Sequence, residues 1–110
     1  MPGRDPIPPG TLDMLILKTL ARAGELHGFE IAESILQVSE EVLQVEEGSL
    51  YPALQRMLIK GWIDGHWSKT RENRRARYYR LTRAGRKQLE KELETYRRVN
   101  LAIARVIEPA

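Results

Sequence analysis

The chain has 110 residues, 42% hydrophobic and 30% charged, with a net charge of +3, which fits one ordinary globular domain and leaves little room for a second. It contains no Cys, which excludes disulfides, thiolate nucleophiles and sulfur-ligated zinc or iron–sulfur sites. No run approaches the ~18 apolar residues of a membrane span, and the start Met1-Pro2-Gly3-Arg4-Asp5 lacks the apolar core of a signal peptide, so a cytoplasmic protein without a membrane partner is expected.

Residues 1–10 carry Pro2, Pro6, Pro8 and Pro9 with two glycines and read as an extended arm. From Thr11, a candidate cap, to Ala23 the spacing predicts a helix that Gly24 stops. Leu12, Leu15, Ile16, Leu20 and Ala23 form one apolar face. Met14 and Leu17 lie off it, so this helix is expected to touch both its own core and a partner subunit. After the link Glu25-Leu26-His27-Gly28, a second helix is predicted from Phe29 to Val38, with Ile31, Ala32, Ile35 and Leu36 at helical spacing. Residues 39–47 show no clear period. A third helix, about Ser49–Lys60, turns Leu50, Leu54, Met57 and Leu58 inward, holds Pro52 in its first turn and ends at Gly61.

Trp62–Trp67 and Arg77–Thr82 alternate as strands do and predict a hairpin, with residues 68–76 as a long basic tip. Trp62 and Trp67 are expected to anchor it on the core, with Tyr78 or Tyr79 across from them. Thr82 can cap a last helix of roughly 25 residues that reaches about Ile107. Three short helices followed by a two-stranded hairpin is the order of a winged helix-turn-helix, a mainly α (α+β) fold. Residues 11–82 would form the DNA-binding domain between the arm and a C-terminal dimerisation helix at 83–110.

Charge is segregated along the chain. Seven carboxylates and no Lys or Arg lie between Gly24 and Gln55, whereas residues 66–87 hold nine bases against Glu72 alone. A local field of this kind suits a polyanion. On the third helix, Gln55 can pair with adenine and Arg56 with guanine, while the Ser49 and Tyr51 hydroxyls serve phosphate or bases. Lys69, Arg71, Arg74 and Arg75 crowd the hairpin tip, where their mutual repulsion is relieved by phosphate.

The last helix repeats apolar residues in steps of four and three at Leu89, Leu93, Tyr96, Asn100, Ile103 and Ile107, a heptad seam with a register-fixing Asn. A chain this short buries only about 60–65% of its unfolded surface, so a homodimer is expected. His27 and His66 are the only histidines. With no triad spacing, Gly-rich phosphate loop or metal-like cluster, no enzyme, cofactor or metal is expected.

The strings Val45-Glu46-Glu47-Gly48-Ser49-Leu50-Tyr51-Pro52-Ala53-Leu54 and Arg77-Tyr78-Tyr79-Arg80-Leu81-Thr82, with Gly10-Thr11-Leu12, His27-Gly28-Phe29 and Gly61-Trp62-Ile63, strongly resemble the PadR family of bacterial transcriptional regulators. The resemblance spans about residues 8–107. It implies a homodimeric winged helix-turn-helix, usually a repressor, on a pseudo-palindromic double-stranded operator. Ser49, Tyr51, Pro52, Gln55 and Arg56 would touch DNA from the recognition helix and Lys69, Arg74 and Arg75 from the wing, with His27 and Gly28 as a weaker contact. Phe29 stands where the family has Tyr. The resemblance also implies release by a small aromatic effector, in a pocket between the first and last helices near Met14, Leu15, Lys18, Leu93, Tyr96 and Ile103. The alternative left open is a winged-helix module that docks a protein through its acidic second helix or its apolar last helix.

Overall fold

The computed structural model describes residues 4–108. Helix α1 (Leu12–Ala23) threads the middle of the core, with Ile16, Leu17 and Leu20 buried and Met14 nearly so. Met14 and Leu17, expected off the buried face, are therefore core residues, while Leu12 and Leu15 are half-covered and Ala23 is exposed. The chain's own layers surround α1 closely enough to use both sides. Thr11 does not cap with its side chain, because its hydroxyl donates back to the Pro8 carbonyl at 2.8 Å. Gly24 closes the helix at φ 89°, a conformation side chains rarely adopt.

Strand β2 (Leu26–His27) occupies what the sequence presented as a link. Helix α2 (Gly28–Val38) starts at once, through a reciprocal cap. The His27 Nδ1 accepts from the Glu30 N–H at 3.4 Å, and the Glu30 carboxylate accepts from the His27 N–H at 3.1 Å. Glu40 and Glu41, both at positive φ, turn the chain into β3 (Leu43–Gln44), which pairs in parallel with β1 (Asp5–Pro6). The Asp5 N–H donates to the Val42 carbonyl at 2.7 Å and Arg4 pairs with Glu41 at 2.9 Å. Residues 4–6 of the expected arm are thus tied to the turn before the third helix.

Helix α3 (Glu47–Ile59) begins two residues earlier than the sequence reading placed it, so Pro52 lies in the second turn rather than the first. Its missing N–H leaves the Gly48 carbonyl, on the exposed face, without its intrahelical donor. Leu50, Ala53, Leu54 and Met57 face the core. Strands β4 (Ile63–Lys69) and β5 (Arg75–Leu81) pair antiparallel from Ile63↔Leu81 to Lys69↔Arg75, and β2 adds to β5 as a third short strand.

The tip is therefore only residues 70–74. Thr70 and Asn73 close it, through the Asn73 N–H to the Thr70 carbonyl at 3.0 Å, with Asn73 at φ 62°. Trp62 packs against the core, but Trp67 lies beyond it, 56% exposed, with the Arg75 guanidinium 4.6 Å from its ring centroid. Tyr78 and Tyr79 stand opposite His66 and Gly65, not opposite the tryptophans.

The Thr82 hydroxyl accepts from the Gly85 N–H at 3.0 Å and starts α4 (Arg83–Ile107). Leu89 is 6% exposed inside the chain's own core and Leu93 packs against it, so Leu89 is not available to a dimer seam. Further along α4 the side chains of Tyr96, Val99, Ile103, Val106 and Ile107 are exposed.

Where α4 passes α1, burial raises the pKa of Glu92 above its ordinary 4.5. The Gln88 hydrogen bond lowers it, the Asp13 charge raises it and Lys60 lowers it. The ionised carboxyl thus opposes folding: the stability it withholds is fully present below pH 4.5 and is lost as pH rises through the raised pKa. Glu92→Gln keeps an acceptor for Gln88 and is expected to raise Tm at pH 7, with the gain vanishing below pH 4.5 in thermal melts across that range.

Candidate nucleic-acid interface

The outer side of α3 follows from its inner one. With Leu50, Ala53, Leu54 and Met57 buried, the 3.6-residue period turns Gly48, Pro52, Gln55 and Ile59 outward, flanked by Tyr51 on one side and by Ser49 and Arg56 on the other. Ser49, Tyr51, Pro52, Gln55 and Arg56 are all exposed. Ile59, 86% exposed at the end of this face, was not singled out from the sequence, where it reads as one more apolar residue.

Three separate stretches meet around one open groove of about 1320 Å³. The start of α2 contributes His27 and Gly28, α3 contributes Tyr51 and Gln55, and the wing contributes Arg71, Arg74 and Arg75. Ser49, Pro52, Arg56 and Lys69 lie outside this lining, although Lys69 shares a sheet face with Arg75, its partner across the ladder. Gly28 is where two of these stretches touch: a Cβ there would stand 2.9 Å from the Tyr51 ring and hydroxyl. His27-Gly28 and Tyr51, 23 residues beyond Gly28 in sequence, therefore form one surface in which Tyr51 lies over the start of α2.

The groove also holds residues that the sequence reading left out. Phe29, 63% exposed, and Trp67 give it aromatic edges, and Glu30, Glu33 and Glu72 add carboxylates. Arg77 crosses its floor with Nε buried and without a hydrogen-bond partner. Gly65, diagonal to Arg77 across the ladder, leaves room for that crossing, since a Cβ there would lie 2.6 Å from Arg77 Nε. The strand alternation could have flagged Arg77, which shares a sheet face with Arg75 and Tyr79. Tyr79 is buried beside it, with its pKa raised by burial and lowered by the Arg77 charge.

Arg56 is not part of this lining; it lies on the other flank of the outer face of α3, about half exposed, and donates from Nη2 to Asp13 Oδ1 at 2.6 Å. The pocket expected between the first and last helices is not assembled within one chain. Leu15 and Lys18 line a groove of about 200 Å³ between α1 and α2, together with Ile35, Val38 and Leu43. Met14 is buried in the core, and Tyr96 is exposed along α4. Among the described residues there is no cluster of His, Asp and Glu suited to a metal, and no helix is long and apolar enough to cross a membrane.

Residues 16–91 match the model of the transcriptional regulator PadR-like family. A transcriptional regulator from Clostridium thermocellum has a similar structure, with 27% identity and a TM-score of 0.82 over 90% of this chain and 95% of that one. A PadR family transcription regulator from Clostridium difficile R20291 is 31% identical, with a TM-score of 0.74 over 89% of this chain and 99% of its own. A PadR-like transcriptional regulator from Bacillus cereus is 26% identical, with a TM-score of 0.76 over 92% and 95%. An uncharacterized protein from Lysinibacillus sphaericus shares 27% identity over 90 residues, 82% of each chain.

Proposed function

Because the chain belongs to the PadR-like family of transcriptional regulators, we propose that this DNA-binding regulator acts in the cytoplasm as a homodimeric repressor. It binds a pseudo-palindromic operator and lets go when a small aromatic effector binds. The observation that carries the DNA contact is the groove that joins the start of α2, the outer face of α3 and the wing arginines. In a winged helix, α3 enters the major groove while the hairpin follows the backbone. Here Tyr51 and Gln55 stand on the helix side of the groove and Arg71, Arg74 and Arg75 on the wing side.

The two sides do different work. Gln55 offers an amide to base edges, whereas the wing arginines neutralise phosphates regardless of sequence. Two copies joined through the far half of α4 would place their α3 helices on half-sites about one helical turn, ~10 bp, or a multiple apart. A pocket for the effector would then be completed by the second copy, with Leu15 and Lys18 on one side and Tyr96 on the other.

The test is fluorescence anisotropy with the DNA upstream of the protein's own coding region and with a shuffled duplex, each at low and physiological salt. At least a hundredfold preference for the upstream duplex, with steep salt dependence for both, is the expected result. Absence of binding at either salt overturns the reading in favour of a protein-docking module. In the same assay Arg75→Ala is expected to weaken both duplexes and to lower the salt slope by about one unit.

A further inference from the structure

Arg56 is half exposed on the flank of α3, and its one strong partner is Asp13, 43 residues away on α1. An exposed ion pair of this kind contributes little to stability, and α3 is already held by Leu50, Ala53, Leu54 and Met57. The pair does fix direction. Asp13 sits in the first turn of α1, where the helix dipole favours a carboxylate, and α1 is anchored by Ile16, Leu17 and Leu20. It is a rigid point from which to hold a long, otherwise free side chain. The observed hydrogen bond uses one of the five guanidinium N–H donors, so an outward edge of Arg56 stays available.

We propose that Asp13 is a specificity-determining positioning residue, which holds the Arg56 guanidinium in the orientation that reads a guanine edge in the major groove. This rests on α3 being the recognition helix. Neutralising Arg56 with Asp13 makes it a weak phosphate clamp, because the pair carries no net charge and the carboxylate repels the backbone. A base edge, by contrast, is read through hydrogen bonds and tolerates that neighbour. Arg56 and Arg75 therefore divide the labour between orientation and charge. Arg75 is held instead against the Trp67 ring, which leaves its charge unneutralised.

The test compares wild type, Asp13→Asn, Arg56→Gln and the double variant on three duplexes: one selected from a random pool, the same duplex with single guanines replaced in turn, and a shuffled one. Asp13→Asn is expected to lose about tenfold of the discrimination at one base pair. It should bind the shuffled duplex equally or slightly more tightly, having lost a negative charge, and should change nothing further in the Arg56→Gln background. Full discrimination retained by Asp13→Asn while Arg56→Gln loses it overturns the inference. So does a parallel fall in Tm and in affinity for every duplex, which is the signature of a merely structural pair. A wild type that does not distinguish selected from shuffled DNA overturns the recognition-helix reading itself, so the two failures are told apart.

Discussion

Ile103→Glu is expected to leave a folded monomer that binds its operator about a hundredfold or more weaker than wild type. Helix α4 has two parts with different surroundings. Its first turns are spent on the chain's own core, through Leu89 and Leu93. From Tyr96 onward the seam continues through Asn100, Ile103 and Ile107, with Val99 and Val106 beside it, and its apolar members are exposed, Ile103 to 49%. Burying a fully exposed side chain of this kind contributes about 1.5–3 kcal/mol and a half-exposed one less, so a stripe like this repeated on two copies would hold a dimer together. A carboxylate at its centre must be desolvated twice, once per copy, which opposes association strongly.

Because Ile103 is half exposed and lies outside the core cluster, the substitution is expected to spare the fold. Leu93→Glu, whose parent residue packs on the core, would lower Tm as well. Loss of the second half-site turns a joined, two-point attachment into a single one, and linkage of that kind is worth about two to four orders of magnitude. Sedimentation at micromolar concentration and anisotropy on the operator read the two parts separately. A wild type that sediments as a monomer, or an Ile103→Glu variant that remains a dimer with full affinity, would sink the dimer reading.

Long-period signals were legible in the sequence and pairwise ones were not. The last helix, its Thr82 cap and its end at Ile107 are as expected, because 25 residues of sustained period and a strong N-cap leave little choice. The exposed set on α3 is also as expected, since four buried positions determine the opposite face. What periodicity could not convey is which neighbour covers a face. Leu89 belongs to the heptad seam by spacing but is taken by the chain's own core. Met14, expected near an effector pocket, is covered in the same way.

By composition Lys69 and Arg75 look like loop residues, which makes the expected hairpin tip longer than the observed one. Paired directly across the ladder, they continue the strands, and Thr70 with Asn73 supplies the turn. Trp67 reads as a core anchor because it is a large aromatic in an alternating strand. In the wing, the Arg75 guanidinium covers part of its ring instead. Two-residue strands such as β1 and β2 carry no sequence period at all. They form because an extended stretch happens to lie beside an open strand edge or a turn.

Gly85→Ala is expected to destabilise the chain by about 2–4 kcal/mol, against the direction that helix propensity gives. Alanine at an ordinary helix position is favoured over glycine by about 1 kcal/mol. Gly85, however, is buried at the third position of α4 and pressed against the chain leaving α3. A Cβ there would stand 2.0 Å from the Trp62 carbonyl oxygen, 2.9 Å from its carbon and 3.1 Å from Leu81 Cδ2. The first two are backbone atoms and cannot swing aside.

The Trp62 carbonyl is also fixed from the other direction, since it accepts from the Thr82 N–H at 3.0 Å. The Thr82 hydroxyl meanwhile donates to the Gly61 carbonyl at 2.6 Å and accepts from the Gly85 N–H. Relieving the clash must therefore break this cap, tilt α4 or open the base of the hairpin. A tilted α4 would carry its exposed seam away from its place relative to the wing, so operator binding should fall along with stability. For a domain of this size the loss corresponds to a Tm lower by roughly 10–20 °C. Ala84→Gly, one residue earlier on the exposed side of the helix, supplies the comparison: it should cost only the ordinary propensity difference of about 1 kcal/mol. A Gly85→Ala variant that melts at or above the wild-type temperature would mean that the α3–α4 junction yields without cost, and that glycine is not needed there.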